Sequence, residues 1–369
     1  ENLETVTLHD KFLYIGGYVF DGCTNLKEVK NANKVTLVGR YAFQNAGLTA
    51  DGLTMDLSSV QTIGTYAFAD SGLKEANLTS LKNGEKQLYP YAFTRAEKLT
   101  TLTLGASVTD ITENAFSYCT ALNNLDLSNV KTIGNDAFIG CSSLNTVTFG
   151  VLESIGGEAF LNCGFDTFTL PASLTTLEGN VFNGNYKIAV EVGNETFRLD
   201  TNGYLLNSNN EVLWIPAYDA DGNPVTEITF ADGYKLTGYI LNGFASVTKV
   251  TLPSDLDTIV SYAFWNFQGS LGDDFKLPAT LTTLEDYAFY NCQGLKDISI
   301  PATLTLGDRA FSKSSVENVT FEQGVTNTGK YTFYDCKNLA TVTLPGSLES
   351  IDESSFRSCP ALTRVIISV

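Results

Sequence analysis

The sequence predicts a single repeat solenoid, mainly β, instead of the two or three globular domains that its length would also allow. Three observations predict it. A short phrase ending in Phe recurs along the chain, an apolar phrase with a period of two follows most copies, and Pro closes several of those apolar phrases. Of the 369 residues 43% are hydrophobic, which excludes a disordered or collagen-like chain. We expect this apolar content to form one thin core shared by neighbouring repeats.

The recurring phrase takes forms such as IGTYAF at 63–68, IGNDAF at 133–138 and LEDYAF at 284–289. Its Phe residues are 20 to 25 residues apart, with one longer jump, and number fourteen: Phe20, Phe43, Phe68, Phe93, Phe116, Phe138, Phe160, Phe182, Phe244, Phe264, Phe289, Phe311, Phe333 and Phe356. This period lies within the range of leucine-rich repeats. We therefore predict a leucine-rich repeat solenoid, a right-handed curved array with helical turns around each Ala-Phe-x-x-Cys.

A second phrase, Leu-x-x-Leu-x-Leu or a close variant, occupies positions such as 122–127 and 339–344. The alternation of its last residues predicts a short strand with its apolar side inward. Five of the nine prolines follow such strands directly: Pro171, Pro253, Pro278, Pro301 and Pro345. Because Pro cannot donate to a strand ladder, it suits a strand end. Stacked repeats would then form a short-stranded parallel sheet.

Residues 186–233 break the period and divide the array into repeats at 1–185, an insertion, and repeats at 234–369. Strands are expected at 197–199, 204–206 and 212–215, separated by turns rich in Asn and Gly. We interpret the insertion as a β-meander. It is either a structural elaboration or a ridge that contacts a ligand, and the sequence favours the first.

Several stretches resemble the BspA-type leucine-rich repeat, also called the Treponema pallidum type. They include LPATLTTLEDYAFYNCQGL at 277–295 and YTFYDCKNLATVTLPGSLESI at 331–351, and the resemblance covers nearly the whole chain. It implies a surface or secreted bacterial protein with an inserted meander, whose last strand Trp214-Ile215-Pro216 matches. The motif is specific for architecture and weak for function.

The seven cysteines all lie three residues after the repeat Phe: Cys23, Cys119, Cys141, Cys163, Cys292, Cys336 and Cys359. Other repeats place Ala or Ser at this position, which therefore requires a small buried side chain. Seven is an odd number, and equivalent side chains of stacked repeats point the same way. We predict free buried thiols instead of disulfides.

Charge and composition exclude several classes of function. Lys and Arg total 23 against 41 Asp and Glu, a formal net charge of -18, which disfavours nucleic acid and anionic lipid as partners. The only histidine is His9, so most His-based catalysis and His-rich metal sites are excluded. No apolar run is long enough to span a membrane. We expect no cofactor, and because the chain starts at Glu1 we expect a leader to have been removed.

Three patterns that mimic catalytic or metal sites have simpler explanations. His9 and Cys23 would make a Cys-His pair, but Cys23 occupies the repeated core position. Residues 324–330 nearly match a phosphate-binding loop, yet Tyr331 stands where Ser or Thr should bind Mg²⁺. Asp219, Asp221 and Asn223 have calcium-loop spacing without the required Gly and Glu, so a hairpin turn explains them better.

The predicted strands present polar residues on the side away from the core. We predict a ligand face from two outward residues on each of four strands, together with Trp214 of the insertion. The eight strand residues are Thr101 and Thr103, Asn124 and Asp126, Thr146 and Thr148, and Thr167 and Thr169. Rows of Thr also arise from strand propensity alone, and that explanation is favoured. A further stripe is formed by the Tyr before Ala-Phe, which we expect to pack between repeats or to cover part of the outer surface, with the hydroxyl near water, at Tyr41, Tyr66, Tyr91, Tyr262, Tyr287 and Tyr331.

These observations favour a non-catalytic binding protein of a bacterial cell surface or secreted fraction, recognising a host or matrix protein or a glycan. A structural spacer or scaffold is the alternative, and an enzyme ranks last. The apolar chain end at 365–369 would need a partner or a missing terminal element at its open strand edge, so we expect the chain either to be a fragment or to associate end to end.

Overall fold

The structure, a computed structural model, describes residues 2–82, 88–179, 181–182, 187–219 and 221–368. The chain divides into two compact units, Glu1–Phe197 and Arg198–Val369. The described residues of both units form strands and turns only. The predicted boundary at 185–186 and the terminal Val369 lie outside the described residues.

In the described part of the first unit the strands are short, with two to four residues each. They are β1 (Thr5–Thr7), β2 (Tyr14–Ile15), β3 (Glu28–Lys30), β4 (Leu37–Val38), β5 (Thr54–Met55), β6 (Thr62–Ile63), β7 (Glu75–Leu78), β8 (Thr101–Leu104), β9 (Asp110–Ile111), β10 (Asn124–Leu127), β11 (Thr132–Ile133), β12 (Thr146–Phe149), β13 (Ser154–Ile155), β14 (Thr167–Leu170), β15 (Thr176–Leu177) and β16 (Lys187–Val190). Each repeat makes one coil, here called a rung. Most rungs carry two strands in place of the one predicted: an outer strand on the apolar phrase and a two-residue strand before the Tyr-Ala-Phe phrase.

The strands of successive rungs pair in parallel and in register. Outer strands form the sheets β1-β3-β5, β7-β8, β10-β12 and β14-β16, and the two-residue strands form β2-β4-β6 and β9-β11-β13-β15. Thr132 of β11, for example, pairs with Asp110 of β9 on one side and with Ser154 of β13 on the other. This stacking is the predicted parallel solenoid.

The second unit begins with the predicted meander and then resumes the rungs. Its strands are β17 (Phe197–Leu199), β18 (Leu205–Asn207), β19 (Glu211–Trp214), β20 (Glu227–Thr229), β21 (Lys235–Leu236), β22 (Lys249–Thr251), β23 (Thr258–Ile259), β24 (Thr283–Leu284), β25 (Asp297–Ile300), β26 (Thr305–Leu306), β27 (Asn318–Phe321), β28 (Thr341–Leu344) and β29 (Arg364–Ile367). They form the sheets β17-β18-β19-β21, β20-β22, β23-β24-β26 and β25-β27-β28-β29.

The meander strands lie within a residue or two of their predicted positions. Strands β18 and β19 are antiparallel, whereas β19 pairs in parallel with β21. Side chains close both turns, since Asp200 accepts hydrogen bonds from the N–H groups of Asn202 and Tyr204 (both 2.8 Å) and Asn207 accepts them from Asn209 and Glu211 (both 3.0 Å).

The predicted helical turns around Ala-Phe-x-x-Cys are wrong. Alternate N–H groups donate to the next rung, as Phe43 does to the Ala67 carbonyl (2.7 Å), while the intervening ones close four-residue turns, as Ala46 does to the Phe43 carbonyl (3.1 Å). Left-handed residues on both sides of the Phe, here Tyr41 (φ 57°) and Asn45 (φ 55°), prevent a helix. The rung-to-rung bonds take the place of helical ones.

Stacked Phe rings fill the interior of the turns. In the first unit the centroids of Phe20, Phe43, Phe68, Phe93, Phe116, Phe138 and Phe160 are 5.1 to 5.5 Å apart in sequence order. In the second unit Phe264, Phe289, Phe311, Phe333 and Phe356 continue the arrangement at 4.3 to 5.9 Å. Apart from Phe20 and Phe356 at the ends, these rings are buried or nearly so, which makes the ladder a main source of hydrophobic stabilisation.

One repeat has a different register from the one predicted. Leu241, instead of Phe244, occupies the repeat Phe position, because its N–H donates to the Ala263 carbonyl as Phe43 does to Ala67. Leu241 is fully buried and Phe244 is half-buried at the position that Cys takes elsewhere. Tyr239 confirms this register, since its ring stacks on Tyr262 at 5.1 Å.

Candidate ligand-binding surfaces

The polar residues predicted as a ligand face are exposed on the outer strands of the first unit. This holds for all eight strand residues: Thr101, Thr103, Asn124, Asp126, Thr146, Thr148, Thr167 and Thr169. The parallel register brings Asn124 beside Thr146 and Asp126 beside Thr148, so these four form a continuous polar patch. Their side chains alternate with buried or half-buried apolar residues, as the sequence pattern requires.

Asp126 has a structural task of its own. Its carboxylate accepts a hydrogen bond from the Ser128 N–H (2.9 Å) at the end of β10. The bonds from Ser128 lower the pKa of Asp126 below the ordinary value for aspartate. The patch therefore carries a fixed negative charge at neutral pH.

Trp214 is not part of that exposed face. Its side chain is buried, with 5% exposed, on the inner side of β19. Within the described part of the chain its indole Nε1 has no hydrogen-bond partner. An inward Trp cannot be told from an outward one by sequence at this position, because the meander lacks the repeat register that orients the other strands.

Depressions lie on other parts of the outer strands. One of about 820 Å³ is formed by β3, β5 and β7, with Glu28, Lys30, Asp56, Lys74 and Glu75 on its walls. In the second unit two adjoining depressions of about 550 and 710 Å³ share residues 272, 273 and 275–278 as a common wall. Sequence reasoning did not identify either region.

The second-unit depressions arise where an outer strand is missing. Residues 272–277 follow β22 and precede β25, are all described, and form no strand. The breaks between β8 and β10 and between β12 and β14 differ, since both rungs there keep their strands. A signal was present in the sequence: LGDDFKLP at 271–278 is one residue longer than VTKVTLP at 247–253 or LKDISIP at 295–301.

The Tyr stripe packs between rungs as predicted. Tyr18, Tyr41, Tyr66 and Tyr91 stack with centroids 4.7 to 5.1 Å apart, as do Tyr239, Tyr262 and Tyr287 at 5.1 to 5.3 Å. These tyrosines all have left-handed backbone, with φ between 56° and 64°. Their rings cover one another, so the ladder presents ring edges and hydroxyls outward in place of the flat faces that stack on sugars.

In the second unit Arg309 takes the Tyr position and extends that ladder. Its guanidinium lies 5.7 Å from the Tyr287 centroid and 4.3 Å from that of Tyr331. Arg309 also donates to the Tyr287 hydroxyl (3.2 Å). Such cation–π contacts stabilise by about 0.5–1 kcal/mol each at exposed sites.

The seven cysteines are free, as predicted. Five of them donate Sγ–H to the Phe carbonyl of the preceding rung at 3.1 to 3.2 Å: Cys119, Cys141, Cys163, Cys336 and Cys359. Burial raises the pKa of each of these five thiols, to about 12 for Cys141 and Cys336. These thiols therefore stay protonated at neutral pH and are poor nucleophiles.

The patterns that mimic catalytic or metal sites take part in ordinary local structure. His9 is exposed and accepts a hydrogen bond from the Lys11 N–H (3.1 Å). Asp219 accepts hydrogen bonds from the Asp221 and Asn223 N–H groups (both 2.9 Å), which makes it the centre of a turn. Tyr331 donates its N–H to the Glu353 carbonyl (2.8 Å), so 324–331 leads into a regular rung.

Among the described residues no group of three or more His, Cys, Asp or Glu side chains is arranged to hold a metal ion. No helix in that part of the chain is long and apolar enough to cross a membrane.

Comparison with known proteins gives a match to one family. The profile of the BspA type leucine rich repeat region, with 6 copies, matches residues 1–121, 61–189, 215–272 and 266–369. No curated protein matches.

Two solved structures share the architecture. The pneumococcal vaccine antigen PcpA is 18% identical, with a TM-score of 0.62, over 99% of this chain and 84% of that one. A leucine-rich repeat protein from Eubacterium ventriosum is 20% identical, with a TM-score of 0.51, over 80% of this chain and 78% of that one. At these identities the likeness concerns the fold.

Proposed function

Since the chain belongs to the BspA-type leucine-rich repeat family, we propose that it is a non-catalytic binding protein that contacts a host or matrix protein or a glycan. Leucine-rich repeat solenoids typically bind and do not catalyse, because stacked rungs present long polar surfaces and few enclosed pockets. Exported placement, on the cell surface or secreted, belongs to the same proposal. The pneumococcal protein of similar fold is a vaccine antigen, which supports exported placement.

One observation carries this proposal: an exposed polar patch held in register by strand pairing. Asn124, Asp126, Thr146 and Thr148 lie side by side on β10 and β12 with their side chains outward. Rigid strands hold these donors and acceptors at fixed spacing, so little side-chain ordering remains to oppose binding. Rows at Thr101–Thr103 and Thr167–Thr169 extend the same type of surface.

A panel of matrix proteins and glycans tests the proposal. The quadruple variant Asn124→Ala, Asp126→Ala, Thr146→Ala, Thr148→Ala should lose binding to any panel member that the native chain retains. The matched control is Ser142→Ala with Ser143→Ala, since both serines are exposed in the connecting turn but lie off the patch. Equal loss in both variants, or none in either, would argue against this patch.

A spacer that displays other segments is the second candidate, favoured by the Phe ladders that run through the rungs of each unit. Absence of binding to every panel member, in a chain that keeps its native circular dichroism, would favour the spacer. Catalysis ranks last, because the buried thiols are protonated and His9 is committed to a local turn.

A further inference from the structure

One extra residue interrupts an outer sheet of the second unit. The seven-residue phrases at 247–253 and 295–301 each place a strand between their first apolar residue and the closing Pro. In the eight-residue phrase at 271–278, Leu271 still accepts a hydrogen bond from the Val250 N–H (3.1 Å). Gly272 then turns with φ +91°, and the chain leaves the sheet. Side chains alternate between the two faces of a strand. If residues 272–277 kept the strand pairing, the extra residue would therefore turn the apolar side chains that follow it away from the core.

The interruption leaves one side of β25 without strand partners. In a parallel sheet, alternate residues direct both N–H and C=O to one neighbour and the residues between them to the other. The carbonyls of Lys296 and Ile300 accept from Asn318 (3.0 Å) and Glu322 (2.9 Å) of the following rung. Asp297 and Ser299 therefore face residues 272–277, and no described backbone group pairs with their N–H or C=O groups. Such an edge is a template for another strand.

The depression of about 710 Å³ described above lies beside this edge and is called the cavity from here on. Its apolar walls come from Phe275, Leu277, Leu281, Ile298 and Leu304, of which Leu281, Ile298 and Leu304 belong to the buried core. The volume is within the range of sites that hold small ligands or short peptide segments. The edge thus combines backbone donors and acceptors with space for an apolar side chain.

The charges at the cavity favour a basic partner. Asp273 and Lys296 neutralise each other in an ion pair (2.5 Å). Of the remaining charged side chains on the walls, Asp297 and Glu322 are acidic and Lys276 is basic. Asp297 accepts a hydrogen bond from the Asn318 side chain (2.7 Å), which holds its carboxylate on the outer side of β25. The chain as a whole carries -18.

We propose that this edge binds an extended peptide in which Lys or Arg alternates with apolar residues. The peptide adds a strand to β25, its backbone pairing with Asp297 and Ser299. Its apolar side chains enter the cavity beside Phe275 and Ile298. Its basic side chains lie on the outer face beside Asp297, where a cross-strand pair of opposite charge is favourable. Glu322 of the following rung adds negative charge there, because its carboxylate accepts a hydrogen bond from Ser299 Oγ of β25 (2.5 Å). This site is separate from the patch on β10 and β12 and does not depend on it.

Deleting Asp274 is the decisive change, because it restores the seven-residue spacing of the neighbouring phrases. Residues 272–277 should then form the missing strand, pair with β25 and fill the site. The probe is fluoresceinyl-Lys-Val-Lys-Val-Thr-Val-amide, labelled at its N-terminus so that both Lys side chains stay charged, and its anisotropy is measured with the full chain. The deletion should weaken binding at least about tenfold. The matched control Asp274→Ala removes the same exposed side chain without changing the spacing, and should bind as the native chain does.

Two further experiments test the proposal even if the deletion variant does not fold. Asp297→Lys should weaken the Lys-Val peptide and strengthen its Glu-Val counterpart. Methylating alternate peptide nitrogens, which removes the donors of one edge, should abolish binding in one of the two alternating sets. No binding by the native chain, equal binding by a folded deletion variant, or indifference to methylation in both sets would overturn the proposal. A concentration-dependent dimer that the deletion abolishes would assign the edge to a second copy and also overturn it.

Discussion

Residues 271–278 and 295–301 are versions of the same repeat segment, yet only the second forms an outer strand. The second segment gives β25, which pairs with β27, while the first leaves the sheet after Leu271. On the turn side of the same rungs the stacking of Tyr and Phe rings continues without a break. Tyr262 stacks on Tyr287 at 5.3 Å and Phe264 on Phe289 at 4.3 Å, across the interruption. The sheet side and the turn side of a rung therefore tolerate changes in length independently: an extra residue on the sheet side leaves the stacking on the turn side intact.

The largest difference between these regions should appear in their aromatic residues. Phe289 is fully buried between Phe264 and Phe311, whereas Phe275 of the interrupted segment is half-buried beside the cavity. Phe289→Ala should destabilise by about 3–5 kcal/mol, since it removes the ring and leaves a void. Phe275→Ala should cost much less. Urea unfolding of both variants measures this, and equal costs would mean that the interrupted segment is as tightly packed as its neighbours.

Alkaline pH should act on the uninterrupted rungs through their thiols. Cys292 and Cys336 lie in rungs that pack continuously, while Phe267 takes the same position in the rung before the interruption. Burial raises the pKa of Cys336 to about 12 and also raises that of Cys292. Folded thiols then keep protons that unfolded thiols lose, so stability falls as pH rises from about 9 towards 12.

The matched variant for that effect is Cys292→Ala with Cys336→Ala. Its free energy of unfolding should depend less steeply on pH between 9 and 12 than that of the native chain, while the ionisation of Tyr and Lys is common to both. Chemical denaturation at several pH values provides the comparison. Identical pH slopes would show that these thiols are not shielded from water.

A smaller effect should test whether the turn side is independent of the sheet side. Arg309→Ala removes cation–π contacts with Tyr287 and Tyr331, and we expect a loss of about 1 kcal/mol. The loss should be the same in the native chain and in the chain lacking Asp274, because the two changes lie on opposite sides of the rungs. A coupling well above the error of thermal unfolding would contradict the independence of the two sides.

Much of the architecture follows from short sequence phrases. The 122–127 phrase places β10 at Asn124–Leu127, and the turn residues near 200–203 and 207–210 locate the meander. The two-residue strands, such as Thr132–Ile133, were not predicted, because hydrogen bonds between rungs define them and two residues are too few to show a period. The helical turns expected around Ala-Phe-x-x-Cys do not form, because residues such as Tyr66 and Arg309 have left-handed backbone, which residues other than Gly rarely adopt and which local sequence does not reveal.

The binding surfaces were predicted less completely. Alternation alone placed Thr146 and Thr148 on the outer face correctly, because the strand period of two leaves no other choice. Alternation could not predict which way Trp214 of the meander faces, and its side chain is buried instead of exposed. The cavity beside β25 depends on a difference of one residue between repeats, which becomes visible only when the rungs are stacked.

Amide hydrogen exchange tests the unpaired edge of β25 most directly. The Ser299 N–H faces the interrupted segment, whereas Thr320 lies at the matching position of β27 and pairs with β25. We predict fast exchange at Ser299 and slow exchange at Thr320 in the native chain, with Ser299 becoming protected when Asp274 is deleted. Protection of Ser299 equal to that of Thr320 in the native chain would contradict the open edge, and with it the proposed site.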